Sequence, residues 1–393
     1  MAFKTTLPHC TSIKFEMATI AYPVYYSPIV GQVAPVAVPV KYGNNNISPE
    51  LWGIIHSSPS FTIRQHVKIL PKNCCTCPPC VQQENTYSVY AGPSADNQAE
   101  LLRADEVSDD WNRCCCKPYH PLKLEVRQYI PLPGDVGHSD FSHLAGDVQA
   151  DFGRLNDPRA RTAAARDIYK QYPPLFTIVR NDGQRCCKFP CKWLSTFVCF
   201  NCCQDGAHVY AGGINKDPES EDGRVPAAHL PADRLIGTVT QTQYGGCCIP
   251  FLELRDQDNA EPFAKIAGPV FFGGWSEMCC DFKFFVSRFT SDRGLGDIGL
   301  ITKRRPKSLA AAAVELGTDA DVYSIDFNSA ANSTAEQKLT VLSAQLLLDY
   351  MLFDGNTEKC KDTPEAVYCY CCYCSVLGAL IPCYIAIPKN GGK

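Results

Sequence analysis

The pattern of polar and apolar positions is most distinctive in residues 317–354, where a short acidic strand leads into a strongly apolar helix. Successive side chains of an extended chain point to opposite faces, so Tyr323, Ile325 and Phe327 are predicted to share one face. The residues between them take the other face. This alternation predicts a β-strand that ends just before the helix.

The helix itself is predicted over residues 334–353. Ser333, with Glu336 three residues later, has the spacing of a capping box. The segment that follows is apolar on nearly every side, and such a helix must be buried in protein or in lipid. A spanning helix needs about 20 apolar residues, whereas only ten uncharged positions separate Lys338 from Asp349. Burial inside a protein core is therefore the favoured interpretation.

Much of the remaining chain consists of short apolar–polar alternations separated by Gly, Pro and Asn. Examples are residues 122–126, 175–179, 207–210 and 282–286. Many short strands with turn residues between them predict a sandwich or a barrel. At 393 residues the chain is long enough for one large β domain or two ordinary domains.

The distinctive region contains two recognisable groups of residues, Thr318-Asp319-Ala320-Asp321 with Ile325 and Phe327, and Leu348-Asp349-Tyr350-Met351 with Phe353. Together they resemble the carboxyl-terminal signature of the phospholipid scramblases. Further segments follow the order and spacing of that family, at residues 236–242, 250–251, 264–269, 279–282 and 299–303. The resemblance covers roughly residues 87–354, interrupted by an insert.

The resemblance implies a mainly β, tubby-like fold, in which a closed antiparallel barrel of about twelve strands surrounds one central apolar C-terminal helix. The barrel is predicted to span residues 84–355, with an insert at 131–171 and with 334–353 as the core helix. Residues 1–83, rich in Pro, Tyr, Val and Cys, are predicted to form a largely irregular arm. Residues 356–393 are predicted to form a Cys-rich apolar tail.

The same resemblance implies calcium-promoted, ATP-independent movement of phospholipids in both directions across a bilayer. The protein would then be a lipid transporter and not an enzyme, and the sequence has no G-x-S-x-G elbow, P-loop or H-E-x-x-H motif. A second hypothesis is a membrane-tethered, tubby-like adaptor that binds lipid, protein or nucleic acid without moving lipid. A third is a zinc-stabilised structural protein.

Asp319, Asp321 and Asp326 are the candidate calcium ligands, because the resemblance places the family's proposed calcium-binding segment at Asp319. Asp319 and Asp321 fit positions one and three of an EF-hand loop. Positions six and twelve hold Ser324 and Ala330, where an EF-hand needs Gly and Glu. Strand alternation also places Asp326 on the opposite face. We therefore expect a weak site at most, and ordinary turn residues are the alternative.

The 24 cysteines fall mostly in short clusters, for which three interpretations are open. Acylation suits dense clusters near a membrane, because stable anchoring takes two or more lipid chains. Zinc binding would use spacings such as Cys199/Cys202, and free cysteine also packs as a small hydrophobic residue. The resemblance places the family's acylated stretch at residues 198–203. The acylation candidates are Cys186, Cys187, Cys191, Cys199, Cys202, Cys203, Cys369, Cys371, Cys372 and Cys374.

Residues 303–307 form the only dense basic run, with Lys303, Arg304, Arg305 and Lys307. Such a run could contact anionic lipid, at about 1 kcal/mol per basic residue near the surface, or act as a nuclear-import signal. A solvated hairpin turn is the alternative. The net charge of −4 gives no argument for general nucleic-acid binding.

The segments near the two ends of the chain are the basis for predicting its binding partners and its location in the cell. Pro-rich residues 17–46 suit either docking of proline-recognising domains or a plain linker. Residues 366–388 carry no charge and are predicted to insert at the interface of a phospholipid membrane, with a full span or a strand packed on the barrel as alternatives. The amino end lacks a signal-peptide pattern. We therefore expect the protein at the cytoplasmic face of a membrane, in particular the plasma membrane, with the nucleus as a second location.

Overall fold

The fold is given by a computed structural model that describes the following parts of the chain. They are residues 49–66, 84–95, 100–108, 122–129, 172–180, 205–214, 232–242, 248–257, 261–289, 296–308, 321–353, 360–376 and 379–389.

These parts contain two α-helices and sixteen strands. The helices are α1 (Pro49–Ser57) and α2 (Ala335–Leu352). The strands are β1 (Ser60–Gln65), β2 (Thr86–Ala91), β3 (Glu100–Val107), β4 (Leu122–Gln128), β5 (Phe176–Arg180), β6 (Gly206–Ala211), β7 (Leu235–Gln241), β8 (Phe251–Asp256), β9 (Ala264–Ala267), β10 (Phe271–Phe272), β11 (Phe282–Arg288), β12 (Gly299–Arg304), β13 (Val322–Phe327), β14 (Cys360–Asp362), β15 (Ala366–Val376) and β16 (Ala379–Pro388).

Twelve of the strands close into an antiparallel barrel, in the order β1-β13-β12-β11-β9-β8-β7-β6-β5-β4-β3-β2. The barrel closes where Phe61 of β1 lies opposite Ile325 of β13. Inward positions alternate with outward ones, so Ile63, Val89 and Val209 are 0% exposed. The predicted mainly β fold with a closed antiparallel barrel of twelve strands is therefore confirmed.

Helix α2 lies inside this barrel, which confirms the prediction of a central core helix. Every residue from Lys338 to Leu352 is buried, and the helix packs against α1 and strands β6, β7 and β8. At Gly237 of β7, an added Cβ atom would clash with Thr340 Oγ1 and lie 2.8 Å from the carbonyl oxygen of Arg255. Only glycine lets strand and helix approach this closely. No helix in the described residues is long and apolar enough to cross a bilayer.

The helix begins one residue later than predicted, because Thr334 and not Ser333 is its N-cap. Thr334 Oγ1 accepts a hydrogen bond from the Gln337 amide at 3.3 Å, and Gln337 Oε1 accepts one from the Thr334 amide at 3.2 Å. The Ser333 and Glu336 pair has the same spacing and chemistry, so the sequence alone did not separate the two registers.

The barrel also begins earlier than predicted. Strand β1 lies upstream of the predicted boundary at residue 84, and α1 packs Leu51, Trp52 and Ile55 into the core. The β1 sequence, SFTIRQ, alternates polar and apolar residues as a strand does, but it is so short that it was included in the predicted irregular arm. The insert predicted at 131–171 lies outside the described residues, but it connects β4 and β5, which are paired neighbours.

The segment predicted to be an apolar tail forms a small sheet. Strands β15 and β16 make a long antiparallel hairpin with a bulge between Tyr370 and Cys372. Strand β14 pairs with the start of β15, and β10 pairs with its later part, where Phe271 lies opposite Cys374. Because β10 follows barrel strand β9 directly, this pairing ties the sheet to the barrel. Tyr373 is buried against the core.

Candidate functional site: a buried charge cluster and an exposed apolar sheet

The acidic strand is β13, and its alternation separates the two aspartates that the structure describes. Tyr323 and Ile325 point into the barrel and are 1% and 0% exposed. Asp321, at the entrance of the strand, is buried on this inner side. Asp326 is partly buried on the opposite side of the strand, where burial raises the pKa of its carboxyl although Arg304 is near.

Lys303 of β12 is the centre of a buried charge cluster. Its Nζ lies 2.7 Å from Asp321 Oδ2 and 3.1 Å from Glu277 Oε2, and it stands 3.9 Å from the centroid of the Phe353 ring. Burial alone would lower the pKa of Lys303, but Asp321 and then Glu277 reverse the effect and raise it. Lys303 is therefore a permanent cation that holds β12, β13 and the 3-10 turn at residues 274–278 together.

Asp349 of α2 is the helix's contribution to the same cluster. Its carboxyl is bracketed by two phenols, with Tyr87 Oη at 2.6 Å and Tyr323 Oη at 2.5 Å. Burial and the nearby charge of Asp321 raise the pKa of Asp349 to about 8, against the influence of Lys303. Tyr323 Oη also lies 3.3 Å from Asp321 Oδ2, yet a phenol has one proton to donate. The Tyr323 hydroxyl therefore donates to only one of the two carboxyls at a time.

A protonated Asp349 makes the stability of the fold depend on pH. The unfolded carboxyl has a pKa of about 3.9, whereas the folded one has a pKa of about 8. Between these values the folded state holds a proton that the unfolded state has lost. The free energy of unfolding therefore falls as pH rises through this window, by up to about 1.4 kcal/mol per pH unit from this group.

The described members of the predicted calcium site do not fit calcium. Asp321 is buried and paired with Lys303, and Asp326 lies on the other side of β13. No group of three or more His, Cys, Asp or Glu side chains in the described residues is arranged to hold a metal ion. Asp319 lies outside those residues. The two described aspartates therefore serve the strand and its ion pair.

Sequence reasoning missed two further buried polar pairs, one between the helix and the wall and one within the wall. Tyr350 of α2 donates a hydrogen bond to Glu106 Oε2 of β3 at 2.9 Å. Arg180 of β5 binds Asp205 through two nitrogens, at 3.0 and 2.5 Å. A charged residue ending an apolar strand, as Arg180 does, was the available signal. These pairs satisfy charges that burial would otherwise make costly.

In the part of the chain that the structure describes, exposed apolar side chains are concentrated in one region. Among the described residues eight large hydrophobic side chains are exposed, and all but Ile54 lie in β10, the residues beside it, or β16. They are Val270, Phe271, Trp275, Ile381, Tyr384, Ile385 and Ile387. We call this surface the apolar sheet. Neighbouring residues Tyr384 and Ile385 are 54% and 60% exposed, so both faces of β16 are open to solvent.

Part of the barrel matches a known protein family. Residues 186–355 match the Scramblase family model. This match supports the predicted resemblance to the phospholipid scramblases over that part of the chain. No curated protein and no solved structure matches the chain. The matched span contains the charge cluster, strands β6 to β13 and helix α2, while β1 to β5 and the C-terminal strands β14 to β16 lie outside it. The scramblase segment thus supplies the helix and part of the wall of a barrel that earlier strands complete.

The acylation candidates of this protein divide into two groups. Cys186, Cys187, Cys191, Cys199, Cys202 and Cys203 lie outside the described residues. Cys369, Cys371, Cys372 and Cys374 all lie in β15, are partly exposed and are free thiols. Sequence reasoning did not single out Cys360, Cys279 and Cys280, which are exposed free thiols of the same region. Accessible thiols therefore lie beside the apolar sheet.

The basic run is divided between interior and surface. The prediction of a surface role is wrong for Lys303, which is 2% exposed. Arg304 is partly buried and donates to Ser324 Oγ at 3.2 Å. Arg305 is exposed and donates to the carbonyl oxygen of Cys279 at 3.0 Å, and Lys307 is exposed. A contact with anionic lipid or an import receptor stays a prediction for these last two residues.

Proposed function

We propose that this protein is a membrane-associated scramblase, which moves phospholipids in both directions between the two leaflets without ATP. The observation that carries the proposal is the scramblase-family segment at residues 186–355. It includes the core helix and the buried charge cluster that fix the shape of the barrel. On this proposal the protein transports lipid and catalyses no covalent chemistry.

The apolar sheet supports attachment to a membrane, with the cytoplasmic face of the plasma membrane as the proposed location. Full burial of a large apolar side chain is worth about 1.5–3 kcal/mol. Ile381, Ile385 and Ile387 are each about half exposed, at 43%, 60% and 54%. Their immersion in a bilayer interface therefore offers several kcal/mol, and acyl chains on the thiols of β15 would add to it.

The proposed route for lipid follows the outside of the barrel, at the apolar sheet. Helix α2 occupies the interior of the barrel, with every residue from Lys338 to Leu352 buried, so the proposed route does not pass through the interior. This filled interior is also what favours the second candidate, a tubby-like adaptor that binds at the membrane without moving lipid. Promotion by calcium stays a prediction, and it is tested separately from scrambling itself. The reason is that Asp321 is paired with Lys303 and Asp326 lies on the other side of β13.

A reconstitution experiment tests the proposal. Purified full-length protein is placed in liposomes that carry a fluorescent phospholipid in both leaflets, and dithionite is added outside to quench the outer leaflet. A scramblase brings inner-leaflet lipid to the quencher, so fluorescence falls below the half that protein-free liposomes retain. Parallel samples contain calcium or a chelator.

The controls separate the two candidates. The double variant Ile385→Lys, Ile387→Lys places two charges on the apolar sheet and is expected to bind vesicles less tightly and to lose scrambling. The matched variant Lys283→Glu changes an exposed outward residue of β11 and is expected to keep both. Protein that binds vesicles fully but leaves the inner leaflet unquenched, with and without calcium, would refute scrambling and support the adaptor.

A further inference from the structure

Two cysteines that face each other across β14 and β15 form a close thiol pair. Cys360 lies directly opposite Cys369 in the register of the two strands. The Cys360 thiol points at Cys369 Sγ at a distance of 3.2 Å. Cys360 is exposed and Cys369 is partly exposed, and both are free thiols. The pair is therefore accessible to solutes in water.

The backbone already has the spacing that a disulfide needs. Directly opposed residues of antiparallel strands have Cα atoms about 4.5–5.5 Å apart, and disulfides span about 4.4–6.8 Å between Cα atoms. Closing the bond therefore requires small side-chain rotations and no change of register. The thiols of Cys279 and Cys280 are similarly close, at 3.5 Å. Those two residues are consecutive, and a bond between them would close a small strained ring around a planar peptide.

We propose that Cys360 and Cys369 form a reversible, redox-sensitive disulfide that fastens β14 to β15. The oxidant is a small-molecule disulfide such as glutathione disulfide. One cysteine thiolate attacks it, forms a mixed disulfide and releases one glutathione thiolate. The second cysteine thiolate then attacks the protein sulfur of the mixed disulfide and releases the second glutathione. Two protein thiols are oxidised to one disulfide, and one glutathione disulfide is reduced to two glutathiones.

The bond would change the local structure in a defined way. Strand β14 has only three residues, all exposed, and only three residue pairs join it to β15. A disulfide would hold this weak edge strand in place, and we expect amide exchange in β14 to slow by about tenfold or more. Because an oxidised sulfur cannot be acylated, Cys369 leaves the set of acylation candidates whenever the bond is closed. The disulfide itself does not depend on lipid transport.

Peptide mapping of the full-length protein tests the proposal. Reduced protein is equilibrated in glutathione buffers of increasing oxidising strength, its free thiols are alkylated, and it is digested with trypsin without reduction. Lys361 lies between the two cysteines, so trypsin separates Cys360 from the peptide that contains Cys369. We expect a cross-linked pair of these peptides in oxidising buffers, and its loss on return to reduced glutathione.

Single variants assign the bond. In Cys369→Ser the cross-link should disappear, and Cys360 should be recovered as a mixed disulfide with glutathione. Cys371→Ser is the matched control, because Cys371 falls in the bulge of β15 and has no opposed residue; its cross-link should persist. The proposal is overturned if the cross-link survives Cys369→Ser, if it occurs only between two chains, or if Cys360 remains a free thiol in the most oxidising buffer.

Discussion

Replacing Lys303 by methionine tests the buried charge cluster most sharply. The change keeps much of the side-chain length but leaves the carboxylates of Asp321 and Glu277 without the cation that lies 2.7 and 3.1 Å away. Breaking a buried ion pair by removing one partner typically costs about 3–5 kcal/mol. A carboxylate can escape by taking up a proton, which at pH 7 costs about 4 kcal/mol for a group whose pKa is near 3.9. By either route, Lys303→Met should lower the free energy of unfolding by about 3–5 kcal/mol at neutral pH.

The same reasoning predicts that the loss depends on pH. At pH 5 the protonation of one carboxylate costs only about 1.5 kcal/mol, so Lys303→Met should then lose much less stability relative to the wild type. Urea unfolding of both proteins at pH 7 and pH 5 measures this. Lys307→Met is the control, because Lys307 is exposed, and its effect should stay within about 0.5 kcal/mol. A loss below about 1 kcal/mol for Lys303→Met at pH 7, or an equal loss at both pH values, would refute the buried ion pair.

Three further predictions concern the helix and its contacts. Asp349→Asn keeps a neutral side chain beside the two phenols, so its unfolding free energy should fall less steeply than the wild type's between pH 5 and pH 8; parallel slopes in urea titrations would contradict the raised pKa. Gln345 is 0% exposed and neither polar atom of its side chain has a partner, so Gln345→Met should stabilise the fold by about 1–3 kcal/mol, and a lower thermal midpoint would contradict this. Gly237→Ala forces a methyl group against Thr340 and should cost about 1–3 kcal/mol; unchanged urea unfolding would mean that the helix lies further from β7.

The fold was predictable from the sequence where the pattern was long and regular. The apolar helix and the alternation of β13 both appear as predicted, because a helix without a polar face must be enclosed and a strand with two faces must alternate. Strand β1 was missed although its sequence, SFTIRQ, alternates polar and apolar residues, because it is short and lies upstream of the segment that resembles a known family. The hairpin of β15 and β16 was less predictable, because an uncharged segment of its length suits a strand packed on the barrel as well as a membrane segment. Insertion of this segment at a membrane interface stays a prediction.

The site was less predictable, because its geometry depends on pairing between distant strands. Asp321 was predicted to be a calcium ligand, and its partner Lys303 was interpreted as part of a surface run, so their ion pair was not foreseen. Only the register of β12 against β13 places Lys303 opposite Tyr323 and turns it into the barrel. Similarly, Cys369 belonged to a long list of candidate cysteines, and only the pairing of β14 with β15 singles it out by bringing Cys360 to it.

We propose that the membrane meets the outside of this protein at the apolar sheet, while the barrel keeps its core. Two of the four tryptophans report on these places: Trp275 is 42% exposed beside the sheet, and Trp52 is 3% exposed in the core. The most direct measurement is fluorescence quenching by vesicles of brominated phospholipid. It uses single-tryptophan variants, in which either Trp275 or Trp52 is the only tryptophan of the chain. We predict strong quenching of Trp275 and almost none of Trp52. Equal quenching of the two, or quenching of Trp52 alone, would contradict the claim.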